Sequence, residues 1–482
     1  MVQRSKRRVL LVHAGVLALL TPAWAAYAND VEPNDEERIA EESAAEAKRL
    51  GDLLFPAQKG GPRTECLDPN VPLTIEEQRL TRAIGPNPEP VADQLLRRSG
   101  FDRFLEPFVK ALCTAPNLHV AEKIVTRHGK ELWRAAVDRV QGRAPAGGDL
   151  PRSDDRPLFW ARLQMTRALK QWIPRFALTS EQRAGLEWTL ERASRGQLDI
   201  HFPHGRHVKR MLVTGFDPFG LDGNAGRDIR NGNPSGAIIL ALDGTGIFTP
   251  SGIVFIETAM FPVRFRDFGL GMVEETVGPA MEDGPRQIDA SMTISQGRFG
   301  QNDVEATNGR YHTRPDNNLF DPCPQGPKDD VHAPSCLVTP PTEWVPFEAP
   351  QWTRTSQPHD AMLAAGTEPF RVLFNTTVTE FVTCTGRETV IRPKGPSLQS
   401  CARNGGGGSF LSNEIAYRVT LLRDVFGLDI PAGHLHVPVM TVFAPGNNFE
   451  ITDAVLEAQR DAIVGQAMDL VGVVAGTISA RR

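Results

Sequence analysis

From residue 211 onward, short apolar runs alternate with longer amphipathic segments, and this alternation constrains the fold more than any other feature of the chain. The runs are typical of buried strands, and the segments between them repeat apolar residues at the three- and four-residue spacing of helices. This order predicts a three-layer α/β/α domain, in which helices cover both faces of a mostly parallel sheet. The predicted strands are residues 211–214, 252–259, 288–294, 370–377 and 433–439. The predicted helices are residues 235–242, 265–277, 361–365, 413–426 and 453–474.

The chain before residue 209 has a different pattern, which predicts an all-α N-terminal module. Residues 29–75 are polar and fit either one helix or a loosely ordered leader. Helical periodicity follows, interrupted by proline and glycine. We therefore expect a helical module with a polar leader at 29–200. The α/β domain is expected at 209–482, with insertions at about 319–358 and 383–408. The helices predicted in the module are residues 91–96, 101–112, 121–141, 158–172 and 180–194.

The linker between the two parts carries three histidines at three-residue spacing, namely His201, His204 and His207. A zinc site needs regular local geometry and a fourth ligand. Pro203 and Gly205 interrupt the spacing, so we expect no metal here. No other pattern in the chain indicates a cofactor.

The first residues predict a secretory signal peptide over residues 1–28. Three basic residues at 6–8 precede an apolar run at 9–20, and small residues follow at positions 23–28. This is the order of a signal peptide, with cleavage after Ala25 or Ala28. The run is shorter than the ~20 residues that span a bilayer. We therefore expect an exported protein, periplasmic or extracellular, that has no membrane association after cleavage.

Six cysteines fit this export, because an even set without Cys-x-x-Cys spacing is typical of disulfides rather than of zinc sites. Sequence order suggests the pairs Cys66–Cys113, Cys323–Cys336 and Cys384–Cys401, although six cysteines allow 15 connectivities. If all six are bridged, no thiol remains for catalysis. The net charge of −5 over 482 residues gives no indication of a nucleic-acid partner.

Residues 214–220, at the end of the first predicted strand, form a turn that contains Phe216 and Phe219. Open α/β sheets bind ligands beyond the carboxyl ends of their strands. Two aromatic side chains there could line a pocket for a small, flat, uncharged group. The alternative is that both rings fold back onto the core.

A second candidate feature is the run of four glycines at 405–408, which leads to Ser412 at the start of a predicted helix. Free backbone N–H groups at a helix start can stabilise the oxyanion of acyl transfer, so Ser412 is a candidate nucleophile. Serine is also a preferred N-cap residue, and that purely structural role is the alternative.

A serine nucleophile needs a base and a carboxylate that orients it. His436 lies in a strand-like run before Pro438 and is the candidate base, with His434 as its neighbouring competitor. Asp303 and Glu305 are the candidate carboxylates. Together these residues have the arrangement of nucleophile, base and orienting acid that acyl transfer requires.

At this point the chain resembles the pyroglutamyl peptidase I family, over roughly residues 210–474. Residues 214–220 resemble the first strand and aromatic turn of that family, and residues 233–235 resemble the Asn-Pro-Ser/Thr that opens its first helix. Further resemblances follow in the family's order. They are residues 261–265 to Leu-Pro-Val-x-Phe, 296–299 to a shortened Gln-Ala-Gly-Gly-Arg-Phe, 308–317 to a segment ending in Pro-Asp-Asn, 355–358 to Thr-Ser/Thr-Leu-Pro, 408–413 to Gly-Thr-Tyr-Leu-Cys-Asn, and 435–438 to Ile-His-Val-Pro.

The resemblance implies a Cys-His-Glu triad, in which Ser412 replaces the cysteine and His436 is the histidine. The acid position falls on Asp303 when counted back from Asn308. Counted forward from Phe299 it falls on the next residue, because one residue is missing, and Glu305 therefore also stays open. The resemblance also implies that five residues contact substrate: Phe216, Phe219, Gln296, Arg298 and Asn233.

The function expected from this resemblance is that of an exported peptidase or amidohydrolase. It would remove N-terminal pyroglutamate, or cleave a related lactam or amide, by Ser-His-acid acyl transfer, with a small peptide as partner and an undetermined oligomeric state. An oxidising compartment gives a reason for serine, because a reactive thiol would oxidise or mispair there. The shortened acid segment favours the alternative, an inactive binding protein that retains the aromatic pocket.

The signal peptide leads to a direct prediction about the mature N-terminus. The exported protein should begin at Ala26 or Asn29, because cleavage follows a small residue. N-terminal sequencing of protein recovered outside the cytoplasm measures this. A chain that retains Met1 and remains in the cytoplasm contradicts the prediction.

Overall fold

The computed structural model describes residues 66–203, 205, 208–222, 228–313, 316–318, 336–440 and 443–478, which belong to one compact unit. The predicted signal peptide and the leader up to residue 65 lie outside the described residues. Within the described ranges, no helix combines the length and apolar character needed to cross a membrane.

Twelve strands, numbered in chain order, run through the described residues. They are β1 (Val208–Phe216), β2 (Thr245–Thr249), β3 (Gly252–Phe261), β4 (Ala290–Gln296), β5 (Gln301–Glu305), β6 (Thr307–Gly309), β7 (Trp352–Arg354), β8 (Arg371–Asn375), β9 (Val378–Phe381), β10 (Thr389–Arg392), β11 (Cys401–Asn404) and β12 (Ala432–Val437). Seven of them form the main sheet, in the order β2-β3-β1-β4-β12-β5-β8. Most neighbours in this sheet are parallel, but β2 and β5 run antiparallel to β3 and β12.

Twelve α-helices of the described residues are numbered in the same way. They are α1 (Ile75–Gln78), α2 (Val91–Arg97), α3 (Leu105–Thr114), α4 (Leu118–Val140), α5 (Arg156–Gln171), α6 (Ser180–Ala193), α7 (Pro234–Leu242), α8 (Phe265–Gly269), α9 (Met272–Met281), α10 (His359–Ala364), α11 (Leu411–Val425) and α12 (Ala454–Thr477). The first six belong to the helical module.

The predicted fold class is confirmed. Apolar residues of α7 and α12 pack on one face of the main sheet, in the same core cluster as the helical module. Apolar residues of α9 and α11 cover the other face. The chain is therefore a three-layer α/β/α domain with a mostly parallel sheet, preceded by an all-α region.

Most elements lie where the sequence predicts them, with three differences. The five predicted strands are present with shifted ends, as β1, β3, β4, β8 and β12. The prediction missed β2 and β5 of the main sheet and the strands of the two small sheets, namely β6, β7, β9, β10 and β11. The single helix predicted at 265–277 is wrong, because it is divided into α8 and α9. Gly271 at the division has a φ of 89°, which a helix does not accommodate.

Two of the three predicted disulfides are confirmed. Cys66 bonds to Cys113 with a Cα–Cα distance of 5.7 Å, and Cys384 bonds to Cys401 with 5.3 Å. The first bond ties the start of the described chain to α3, and the second ties β11 to the loop after β9. The third predicted pair includes Cys323, which lies outside the described residues.

A buried network of charges joins α9 and α11 beneath the sheet. Arg418 Nη1 donates to Glu274 Oε1 at 2.7 Å, and Arg418 Nε donates to Glu414 Oε1 at 2.9 Å. All three side chains are at most 1% exposed. Since the guanidinium neutralises two carboxylates that water does not reach, the packing of both helices depends on it.

Replacing this arginine should therefore be costly. We expect Arg418→Met to lower the free energy of unfolding by about 3–5 kcal/mol, because two buried carboxylates lose their partner. The control is Arg97→Met, whose ion pair with Glu89 is exposed and should contribute about 1 kcal/mol or less. Urea denaturation measures both variants, and equal losses would contradict this account.

Candidate functional site

The strand order of the sheet reverses between β1 and β4, and a ligand crevice is expected at the carboxyl ends of these two strands. The chain leaves β1, crosses through α7 and returns as β3 on one side, whereas β4 lies on the other side of β1. Pairing between β1 and β4 ends at Thr214 and Thr293, although both strands continue for two or three more residues. Such a reversal of strand order is where open α/β sheets bind ligands.

The aromatic turn lies at one side of this crevice, but its two rings differ in burial. Phe216 is 3% exposed and stacks on Phe268, with 6.2 Å between ring centroids. It belongs to the core cluster beneath α11. Phe219 is only partly buried. Phe216 therefore stabilises the turn through the core, and Phe219 is the ring with more access to the crevice.

Asn233 is occupied by local structure. As the N-cap of α7 it accepts hydrogen bonds at Oδ1 from the amide and the hydroxyl of Ser235, at 3.1 and 2.8 Å. Its Nδ2 donates to the carbonyl of Asp217 at 2.8 Å. Both ends of the amide are thus used, and the side chain connects the helix start to the aromatic turn.

Gln296 is the last residue of β4 and Arg298 follows it, and neither side chain is hydrogen-bonded to His436. Gln296 is in register with Val437, so strand alternation places its side chain on the opposite face of the sheet from His436. Its Oε1 is buried and has no hydrogen-bond partner among the described residues. Arg298 is half-exposed and donates to Asp303 Oδ2 at 2.5 Å.

His436 pairs with Glu305 and not with Asp303. Nδ1 of His436 donates to Glu305 Oε1 at 2.6 Å, and Glu305 is fully buried. The register places Asp303 opposite His436 and Glu305 one pair further along the same face. Diagonal pairs on a sheet are within reach of a long side chain such as glutamate. The shorter Asp303 carboxylate binds Arg298 and Gln301 instead.

Glu305 is held from two further sides. Nδ2 of Asn375, the last residue of β8, donates to its Oε2 at 2.7 Å. The backbone of Gly406 passes so close that a Cβ there would overlap Oε2. The first half of the glycine-rich loop therefore packs directly on the carboxylate, which explains why glycine is required at this position.

His434, the competing histidine, is occupied on both ring nitrogens. Thr293 Oγ1 lies 2.7 Å from its Nδ1, and Ser295 Oγ lies 2.8 Å from its Nε2. Complete burial, together with the neighbouring ring of His436 at 4.5 Å, holds the pKa of His434 well below its usual range. His434 is thus a neutral, hydrogen-bonded residue of the sheet.

Ser412 lies at the second position of α11, because Phe410 is the N-cap residue. The alternative role of Ser412 as N-cap is therefore wrong. Its Oγ donates to the carbonyl of Gly407 at 3.2 Å. Across the described chain, Ser412 and His436 share no hydrogen bond. The amides of Leu411 and Ser412 are at the helix start, where N–H groups have no intrahelical acceptor.

The first turn of α11 is fixed to β6 through Asn413. Its Oδ1 accepts from the amide of Gly309 at 2.9 Å, and its Nδ2 donates to the carbonyl of the same residue at 2.7 Å. The amide of Gly406 donates to the carbonyl of Thr307 at 2.9 Å. Ser412 is therefore held on a rigid helix start, with the glycine-rich loop between it and Glu305.

A second buried histidine–carboxylate pair was not predicted from the sequence. His312 Nδ1 is hydrogen-bonded to Glu414 Oε2, and the edge of its ring faces Phe265 with 4.9 Å between centroids. Helical position alone gives no sign that Glu414 points inward. Because Glu414 also binds Arg418, His312 extends the network between α9 and α11.

No group of three or more His, Cys, Asp or Glu side chains in the described ranges is placed to hold a metal ion. His204 and His207 of the linker lie outside those ranges. The glycine-rich loop connects the His436–Glu305 pair, through Gly406, with Ser412 and the amides at the start of α11, through Gly407. These groups suit proton transfer and nucleophilic attack.

The fold and the site define an α/β protein with a histidine–carboxylate pair beside a switch-point crevice. Two family models match the chain, PA0049 N-terminal domain at residues 57–191 and PA0049, C-terminal domain at residues 210–441. The chain is 39% identical over 491 residues to a Pseudomonas aeruginosa protein described as "Uncharacterized protein PA0049". That match covers 83% of this chain and 89% of the relative. The chain belongs to the PA0049 family.

Solved structures similar to this chain include pyrrolidone carboxyl peptidases. The enzyme from Thermococcus litoralis is 16% identical, with a TM-score of 0.34, and the match covers 57% of this chain and 98% of that one. The enzyme from Pyrococcus furiosus is also 16% identical, with a TM-score of 0.33, covering 55% of this chain and 95% of that one.

The buried state of His434 leads to a prediction about pH. The folded protein keeps this ring neutral, whereas the unfolded chain takes up a proton near pH 6.5. Stability should therefore fall as the pH drops below about 6.5, by up to about 1.4 kcal/mol per pH unit from this group. His434→Gln has no imidazole at this position and lacks this pH dependence. We expect its free energy of unfolding to fall less than that of the wild type between pH 7 and pH 5.

Urea denaturation of both proteins at several pH values measures the difference. Because all other titrating groups are shared, they cancel in the comparison. Parallel pH profiles for the two proteins would contradict the assignment of a depressed pKa to His434.

Proposed function

We propose that this protein is an exported hydrolase that cleaves a small amide substrate, with Ser412 as nucleophile, His436 as base and Glu305 as the carboxylate that orients it. The observation that carries the proposal is the buried hydrogen bond of 2.6 Å between His436 Nδ1 and Glu305 Oε1. It lies against the glycine-rich loop that leads to Ser412. Asp303, the other candidate acid, becomes a partner of Arg298 in this proposal.

The hydrogen bond to Glu305 sets the chemistry of the imidazole. Donation from Nδ1 fixes the tautomer and leaves the lone pair on Nε2, which has no hydrogen-bond partner among the described residues. Nε2 can then take the proton of the Ser412 hydroxyl as the oxygen attacks the substrate carbonyl. Glu305 stabilises the resulting imidazolium.

The remaining steps use groups at the start of α11. The amides of Leu411 and Ser412 are suited to stabilise the negative charge on the carbonyl oxygen. His436 returns the proton to the leaving amine as the C–N bond breaks. Water then attacks the carbonyl of the acyl-enzyme while His436 takes its proton, and His436 returns that proton to the departing Ser412 oxygen. Before attack, the Ser412 hydroxyl must leave its hydrogen bond to the Gly407 carbonyl and turn towards His436.

A pyroglutamyl group is the proposed substrate group. It is a flat, uncharged lactam, and the motif resemblance supports a pocket for such a ring beside the aromatic turn. Phe219 is the better placed of the two turn rings, because Phe216 packs into the core. The apolar walls would hold the ring while the scissile amide faces Ser412.

A second candidate function is binding without catalysis. One observation favours this function: Ser412 Oγ donates a hydrogen bond to the carbonyl of Gly407 and has none with His436. In that case the crevice would hold a pyroglutamyl-type ligand without cleaving it.

Hydrolysis of a pyroglutamyl fluorogenic amide separates these functions. We expect turnover by the wild type, and a loss of roughly 10³-fold or more in kcat for both Ser412→Ala and Glu305→Gln. The matched control is Asp303→Asn, which removes the other carboxylate of β5 and should retain most of the activity. A larger loss in Asp303→Asn than in Glu305→Gln would reverse the assignment of the acid.

Two further results have clear meanings. Equal rates in the wild type and Ser412→Ala would exclude Ser412 as the nucleophile. A folded wild type that binds 2-pyrrolidone, measured by ligand-observed NMR, but shows no turnover would support the binding function instead.

A further inference from the structure

The aromatic turn carries a buried charge that the helical module neutralises. Asp217, 1% exposed, directly follows Phe216. Arg162 of α5 donates to its Oδ1 at 2.6 Å, and Arg195, just after α6, donates to its Oδ2 at 2.7 Å. Both guanidinium groups are about 2% exposed. Two buried ion pairs from the helical module therefore hold the aromatic turn in place.

Ion pairs from the helical module also hold the segment after β3, the strand that pairs with β1. Arg264 donates to Glu76 of α1 at 3.1 Å and pairs with Glu191 of α6. The backbone contributes as well, because the amide of Met260 donates to the carbonyl of Arg195 at 2.9 Å. Arg195 therefore contacts the aromatic turn and the end of β3 at once.

A third contact reaches the start of α7. The amide of Asn233 donates to Asp155 Oδ2 at 2.8 Å, and Asp155 lies at the N-cap of α5. Beyond the aromatic turn, Asp222 pairs with Arg79 and Arg82 of the module. The three segments at 214–220, 233–235 and 261–265 thus each receive at least one polar side chain from the helical module.

These contacts set geometry more than they add stability. Buried ion pairs contribute little net stability compared with apolar packing of the same volume, because desolvation offsets the attraction. Apolar residues of the module and of α7 already share one core cluster, which holds the module in place. An arginine fork, by contrast, fixes both the distance and the orientation of the carboxylate that it binds.

We propose that the helical module is a positioning part of the binding site, in which Arg162, Arg195 and Glu191 set the separation between the aromatic turn and the segment after β3. The ligand part of this inference rests on the proposed function. A removable segment that merely blocks access predicts the opposite response, because loosening it would improve ligand binding.

The test compares Arg195→Met with Arg192→Met. Arg192 lies in the last turn of α6, three residues before Arg195, and its side chain donates to Glu275 of α9 at 2.5 Å rather than to either segment of the site. Hydrogen exchange followed by mass spectrometry reports on residues 214–222 and 258–268 without any ligand. We expect Arg195→Met to accelerate exchange in both segments and Arg192→Met to leave them unchanged, at temperatures where both proteins are folded.

Ligand affinity is measured in the same proteins with 2-pyrrolidone as the probe. We expect Arg195→Met to bind roughly tenfold more weakly or worse, because small displacements of positioning groups are costly. Arg195→Lys keeps the charge but loses the planar guanidinium fork. Its affinity for 2-pyrrolidone should lie between those of the wild type and Arg195→Met. If Arg195→Met does not fold, Asp217→Asn replaces it, since it removes the same charge pairing with little change of shape.

The outcomes separate this proposal from the proposed function. Equal exchange in Arg195→Met and Arg192→Met overturns the positioning role, and so does tighter binding or faster turnover in Arg195→Met. If the wild type does not bind 2-pyrrolidone, the proposed substrate group is wrong. The hydrogen-exchange comparison then still decides whether the module positions the two loops.

Discussion

The carboxylate of Glu305 is the group on which the site depends. It is fully buried, it accepts hydrogen bonds from His436 and Asn375, and the backbone of Gly406 packs against it. A buried carboxylate must have such partners, because an unpaired one would cost several kcal/mol. The requirement connects β5, β8, β12 and the glycine-rich loop at one point. The loop in turn leads to Ser412, so the position of the serine follows from where this charge is satisfied.

The sequence was sufficient for the main layers of the fold but not for the choice of acid. Strands such as β1 and β3 contain apolar runs, and burial makes such runs visible in a sequence. β5 reads Gln-Asn-Asp-Val-Glu and has no such signal, although it lies between two strands of the main sheet. Unless β5 is recognised as a strand, its pairing register with β12 is unknown. Without that register, the sequence does not show which of Asp303 and Glu305 reaches His436. The antiparallel pairing with β12 makes Glu305 the diagonal neighbour of His436.

The helical module illustrates the same limit at longer range. Its helices are predicted by periodicity, and α5 and α6 are found close to their predicted positions. Periodicity also marks Arg162 as a polar residue within a helix, but it does not name Asp217, 55 residues away, as its partner. Charge pairs of this kind depend on the packing of whole layers. The sequence therefore predicted a module beside the α/β domain and left its role open, whereas the contacts connect it to the loops of the crevice.

The proposed replacement of a cysteine nucleophile by Ser412 can be weighed by magnitude. A neutral hydrogen bond such as that from Ser412 to the Gly407 carbonyl contributes about 1 kcal/mol net, and breaking it would slow attack by roughly fivefold. An orienting carboxylate, in contrast, is worth about 10⁴-fold in a serine triad. The observed rotamer of Ser412 is thus a small obstacle compared with what the His436–Glu305 pair can provide. Under an oxidising environment, a hydroxyl also avoids the exchange reactions that a thiol would undergo beside disulfides. These magnitudes support the proposed role of Ser412 as the nucleophile.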